Sequence, residues 1–165
     1  MTLILFCSLV FSIRAQQQHP YLFFTPDRIA TLKEQLKSDK EVKANYTQVE
    51  QVAREALKEN NPYRKLEYLA LTYQVTGEKR YADKIKESIR QTGGKDTLEA
   101  KDMLNRDPAW TSLLSTAHAN HQMAIGFDAI YNELSDEERK ELAQAIYKIG
   151  IRPTLHDWLS PATRF

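Results

Sequence analysis

Leu66-Glu67-Tyr68-Leu69-Ala70-Leu71-Thr72-Tyr73-Gln74-Val75-Thr76-Gly77-Glu78-Lys79-Arg80-Tyr81-Ala82 contains one helix, its stop and the start of the next. Leu66, Leu69, Ala70 and Tyr73 recur at steps of three and four, the period of a helix face. Gly77 then supplies the left-handed residue that ends a helix without steric cost. From Glu78 the period resumes in Tyr81, Ala82, Ile85 and Ile89 and runs to Gly93-Gly94. Two helices with a very short turn between them form a helical hairpin, and this unit sets the expectation for the rest of the chain.

Working outward, Thr25-Pro26-Asp27 reads as a helix start. Threonine suits the N-cap, proline the first helical position, and aspartate the positive end of the helix dipole. The helix it opens should run to about Leu36, with Ile29, Leu32, Lys33 and Leu36 on one side. A second helix is expected near 41–58, where Val42, Tyr46, Val49, Val52, Ala53, Ala56 and Leu57 draw one apolar stripe. Asn60-Asn61-Pro62 breaks that pattern. Residues 95–105 are weakly helical or irregular, and Asp107-Pro108 punctuates them.

The longest apolar helix is expected over 109–131. It holds Trp110, Leu113, Leu114, Ala117, His121, Ala124, Ile125, Phe127 and Ile130 nearly all the way round, so neighbours should enclose it on several sides. Ser135 and Glu138 have the spacing of a capping box. The helix they open uses Leu142, Ala143, Ile146 and Tyr147 and is expected to close at Gly150, leaving an irregular tail over 151–165. No segment alternates as a half-buried strand would. The fold class is all-α, with helical hairpins that fit either a closed bundle or part of an incomplete (α/α) toroid. The apolar anchors of the tail favour the toroid.

With 42% hydrophobic and 27% charged residues, the 165-residue chain has the composition of one globular domain. Its 23 lysines and arginines nearly cancel 22 aspartates and glutamates, so no global field gathers nucleic acid or anionic lipid. Leu3 to Ile13 is an uncharged apolar run, long enough for the core of an export signal and too short to span a bilayer. Residues 1–15 are therefore read as a signal peptide and 16–165 as the mature helical segment, periplasmic or extracellular and free of the membrane after cleavage. Met1-Thr2 brings no basic residue to that run, and a buried N-terminal helix is the alternative. Cys7, the single cysteine, falls within the run, so the mature chain has neither disulfides nor thiolate chemistry.

Several residues are candidates for contact with a ligand. His118 and His121 share a helix face, and histidines at that spacing suit a buried or interfacial role, a sugar groove or, with further ligands, a metal. Trp110 and Trp158 offer aromatic planes to the apolar C–H face of a sugar, although Trp110 also reads as core. Arg164 has the paired donors that meet an anionic substituent. The substrate contacts expected are thus Trp158, Arg164 and His118, with no metal and no cofactor. Asp128, between Phe127 and Tyr131, reads as a structural aspartate tying its helix to the next loop, or as the buried acid of a glycoside hydrolase.

Three pieces together carry a family likeness: His19-Pro20-Tyr21-Leu22-Phe23-Phe24-Thr25-Pro26, the hairpin Tyr73 to Ala82, and Ala124-Ile125-Gly126-Phe127-Asp128-Ala129-Ile130-Tyr131 followed by Leu134-Ser135-Asp136-Glu137-Glu138-Arg139. In this order and spacing they resemble the N-terminal region of heparinase II/III-like polysaccharide lyases. The resemblance implies an incomplete (α/α) toroid that a β-rich C-terminal portion completes. It also implies β-elimination of acidic polysaccharides such as glycosaminoglycans or alginate. The family's catalytic asparagine or glutamate, histidine and tyrosine would lie beyond Phe165, so the resemblance carries none of them onto this chain, which is expected to be inactive alone. Two other classes fit the same residues: an exported non-catalytic helical module that binds glycans or a protein, and a toroid-type glycoside hydrolase.

Overall fold

The computed structural model describes residues 18–107 and 109–159, and these are all-helical. The signal-like segment 1–15 with Cys7, and the tail that carries Arg164, lie outside the described residues. In chain order the α-helices are α1 (Pro26–Ser38), α2 (Lys40–Ala56), α3 (Leu66–Thr76), α4 (Lys79–Gly93), α5 (Lys101–Leu104), α6 (Leu114–Ile130), α7 (Asp136–Ile146) and α8 (Arg152–Leu159). No helix among the described residues is long and apolar enough to cross a membrane.

The α3–α4 hairpin forms as its sequence requires. Gly77 has φ 71° and sends its N–H to the Tyr73 carbonyl at 2.7 Å, closing α3 one residue before α4 is entered. Ser135 and Glu138 form the reciprocal capping box at the head of α7. Thr25 does occupy the N-cap of α1, but its hydroxyl makes no capping bond. At α2 the cap is Asp39, whose Oδ1 accepts from the N–H groups of Glu41 and Val42 at 2.8 and 3.1 Å.

The helices pack largely in chain order. α1 and α2 lie against α3, which also packs on α4 and α6, while α4 and α6 meet α7. The core runs between them through Leu66 and Leu69 of α3, Tyr81, Ile85 and Ile89 of α4, Met123 and Ile130 of α6, and Leu142 of α7, all fully buried. Each such side chain removed from water contributes about 1.5–3 kcal/mol to folding. The apolar circumference of α6 is matched by this enclosure on several sides. Its first turns are the exception, with Leu114, Ala117, His118 and His121 left exposed.

Two glycines act through the space they leave. A Cβ on Gly93 would lie 2.4 Å from the Cβ and 2.8 Å from the Cα of Ala145, so α4 and α7 cross at a distance only glycine allows. A Cβ on Gly150 would come 1.6 Å from Oδ1 of Asn120 on α6. Gly150 therefore does not end a helix. The chain continues from α7 through a wider turn, Tyr147–Ile151, in which the Arg152 N–H reaches back to the Tyr147 carbonyl, and then into α8. Pro153, which has no N–H to give to Ile149, stands at the second position of α8, where a proline is tolerated. The tail expected to be irregular is thus helical at least to Leu159.

Candidate functional site

The start of α6 is held by carboxylates from two other parts of the chain. Oε1 of Glu99, in the segment before α5, accepts from the Leu113 and Thr116 N–H groups at 2.8 and 3.0 Å and from the Thr116 hydroxyl at 2.7 Å. It satisfies N–H groups that a helix start otherwise leaves without an intrahelical partner. Asp157 of α8 accepts from the N–H groups of Thr111 and Ser112 and, at 2.8 Å, from the Thr111 hydroxyl. Thr154, one turn earlier, shares a 2.7 Å hydrogen bond with Ser112. Burial pushes the Asp157 carboxyl up, but hydrogen bonds from His156, Thr111 and the backbone of Thr111 and Ser112 outweigh it and hold the group below the usual aspartate range.

This clamp brings the two tryptophans of the chain together. The rings of Trp110 and Trp158 lie 6.5 Å apart and tilted by 60°, within the range of favourable aromatic pairs. Trp158 is 66% exposed. Trp110 is half-buried and stands outside the core cluster, which corrects its reading as a core residue. The Arg106 guanidinium lies 5.2 Å from the Trp110 ring centre, a cation–π distance. Arg106 was not singled out in the sequence. It becomes notable only when the chain folds back so that the Trp110 N–H reaches the Met103 carbonyl at 3.2 Å.

His118 lies elsewhere on α6, in a shallow pocket shared with Arg64, Leu114, Ser115 and Ala117. The Arg64 guanidinium donates to the Tyr63 hydroxyl at 3.1 Å, and among the described residues no carboxylate is within ion-pair distance of it. Neither tryptophan lines this pocket, so two of the expected contact residues, His118 and Trp158, flank the same end of α6 without sharing a site. His121 faces Phe23 edge-on at 5.9 Å and stands 3.9 Å from Glu67. No group of three or more metal-binding side chains is assembled among the described residues.

Asp128 does tie its helix to another segment, but that segment precedes it by more than a hundred residues. Its Oδ1 lies 2.6 Å from Nδ1 of His19, while Oδ2 accepts from the N–H groups of Tyr21 and Leu22 at 2.9 and 2.8 Å. The His19 ring stacks on Tyr131 at 3.7 Å, and Asn132 donates to the His19 carbonyl at 2.8 Å. With both oxygens engaged, this carboxyl has the surroundings of an anchor. The stretch 19–22 is thereby fixed to the second half of α6.

No family model and no curated protein matches this chain.

Proposed function

We propose that this chain is the exported N-terminal helical part of a uronate-polysaccharide lyase of the heparinase II/III type. The observation that carries the reading is an exposed apolar face over residues 147–159. Tyr147, Ile151, Leu155, Trp158 and Leu159 recur mostly at steps of three and four and are all exposed. A face of this kind is ordinarily covered by further protein or by a ligand. The chain-order packing of hairpins and the docking of the His19 segment on α6 also fit the family's helical region.

In this reading the remaining polypeptide supplies the chemistry. β-Elimination needs a group that neutralises the uronate carboxylate, a base for the C5 proton and an acid for the leaving oxygen. Those groups sit beyond Phe165, and the helical part contributes shape and substrate contacts. A non-catalytic glycan-binding module is the second reading. The exposed Trp158 beside Trp110, over which Arg106 lies, favours it, since that grouping suits binding and includes no acid–base couple.

The test is to extend the reading frame past Phe165, express the whole product and follow the ultraviolet absorbance of unsaturated uronate during incubation with alginate and with heparan-type chains. The lyase reading expects a β-rich continuation with absorbance growth from the extended protein and none from the 165-residue chain. A continuation with neither β-rich sequence nor unsaturated product would overturn it, and binding without product would leave the module reading in place.

A further inference from the structure

We propose that Trp158, Trp110 and Arg106 form a stacking platform for one acidic sugar ring of a polysaccharide. The inference rests on the polysaccharide reading above and gives that substrate a place on this chain. Three observations carry it. The first is the exposure of Trp158, whose ring stands in solvent with a second indole 6.5 Å away and tilted by 60°. A pyranose presents an apolar C–H face to such a surface, and covering it removes apolar area from water.

The second is rigidity. Trp158 follows directly on Asp157, whose hydrogen bonds to Thr111 and Ser112 fix α8 against the segment that carries Trp110. The two rings are thus presented by tied backbone, so little ordering remains to oppose binding. The third is charge. Arg106 is exposed and lies over Trp110, and no carboxylate among the described residues comes within ion-pair distance of it. Asp102 and Asp107 of the same turn are exposed and do not pair with it. Apart from a 3.9 Å contact of Nη1 with the Met103 sulfur, this guanidinium has donors to offer beside a stacking surface, and it fits a ring bearing a carboxylate or sulfate, which it meets through paired donors.

Because Trp110 and Trp158 are the only tryptophans, fluorescence excited selectively at tryptophan reports on this pair. The experiment titrates the 165-residue chain with alginate oligosaccharides, with heparan-type oligosaccharides and with neutral cello-oligosaccharides of equal length. A saturable change in emission is expected with an acidic series and a weaker one with the neutral series. Trp158→Ala should weaken binding roughly tenfold or more, as truncation of a central stacking tryptophan does, with binding followed by calorimetry. Trp158→Phe should recover part of the loss, and Arg106→Gln should remove the preference for acidic chains. Helical circular dichroism of each variant establishes that it is folded.

Equal affinity of wild type and Trp158→Ala for acidic oligosaccharides would overturn the platform while leaving the lyase reading intact. Unchanged emission with every oligosaccharide, together with unsaturated product from the extended protein, would do the same and assign the exposed face to contact with the rest of the protein. Binding that depends on Trp158, with no unsaturated product from the extended protein, would sustain the platform and remove the lyase.

Discussion

Asp128 and Asp157 use one device in two places. Each side chain is about 5% exposed, each has a histidine Nδ1 at hydrogen-bond distance, and each accepts two consecutive backbone N–H groups from a segment remote in sequence. What they hold differs. Asp128, in the middle of the enclosed helix α6, fastens the aromatic stretch 19–22 onto the body, with the His19 ring stacked on Tyr131. Asp157, on the peripheral helix α8, fastens the approach to α6 and leaves its own neighbour Trp158 in solvent. A buried carboxylate that gathers backbone donors therefore marks a joint between segments, and the surroundings of the joint decide whether it stabilises the body or presents a surface.

The comparison requires a rigid body for both joints to act on, and the largest effect should come from loosening that body. Gly93→Ala forces a methyl group into Ala145 at the α4–α7 crossing, where backbone as well as side chain must move. We expect a loss of about 3 kcal/mol in urea unfolding, at the upper end for an overpacked core. A change below about 0.5 kcal/mol would mean that the two helices do not cross this closely.

Asp128→Ala should cost about 2 kcal/mol, because it strands the N–H groups of Tyr21 and Leu22 beside a buried surface. Hydrogen exchange at those two amides should accelerate while the tryptophan emission stays as it was. Asp157→Ala should show the reverse pattern: a smaller loss of about 1 kcal/mol, a changed near-ultraviolet signal from the Trp110–Trp158 pair, and unaltered exchange at 21 and 22. If the two variants gave the same pattern, the joints would not be independent.

Acid should test the Asp157 joint as well. The Asp157 carboxyl is held below its ordinary value, so its contribution to stability is present above the unfolded-state pKa of about 3.9 and is lost as pH falls through the lower folded value. The tryptophan signal of the wild type should accordingly change only in that acidic window. Asp157→Asn should be flat there, and a wild-type transition nearer neutrality would contradict the assignment.

Much of the fold was legible from short-range chemistry. Gly77 as a left-handed stop, the Ser135–Glu138 capping box and the apolar stripes of α3 and α4 are all set by residues within four positions of one another. The joints were not legible, because nothing near Asp128 in sequence points to His19, nor does anything near Glu99 point to Thr116. Gly150 was misread for a related reason. A glycine that ends a helix and a glycine that admits a neighbouring side chain look alike until Asn120 is seen against it. Of the candidate contact residues, Trp158 was visible as an aromatic of the tail, whereas Arg106, which lies over Trp110, emerged only from the fold of the 103–110 turn.

Both functional proposals depend on Trp158 standing in water at the edge of a folded α8. Collisional quenching by acrylamide of Trp110→Phe, in which Trp158 is the only tryptophan and is excited selectively, measures this directly. The account predicts red-shifted emission quenched nearly as efficiently as a free indole, in agreement with the 66% exposure of the residue. Blue-shifted emission protected from acrylamide in the dilute chain would show that the face is already covered, and would contradict it.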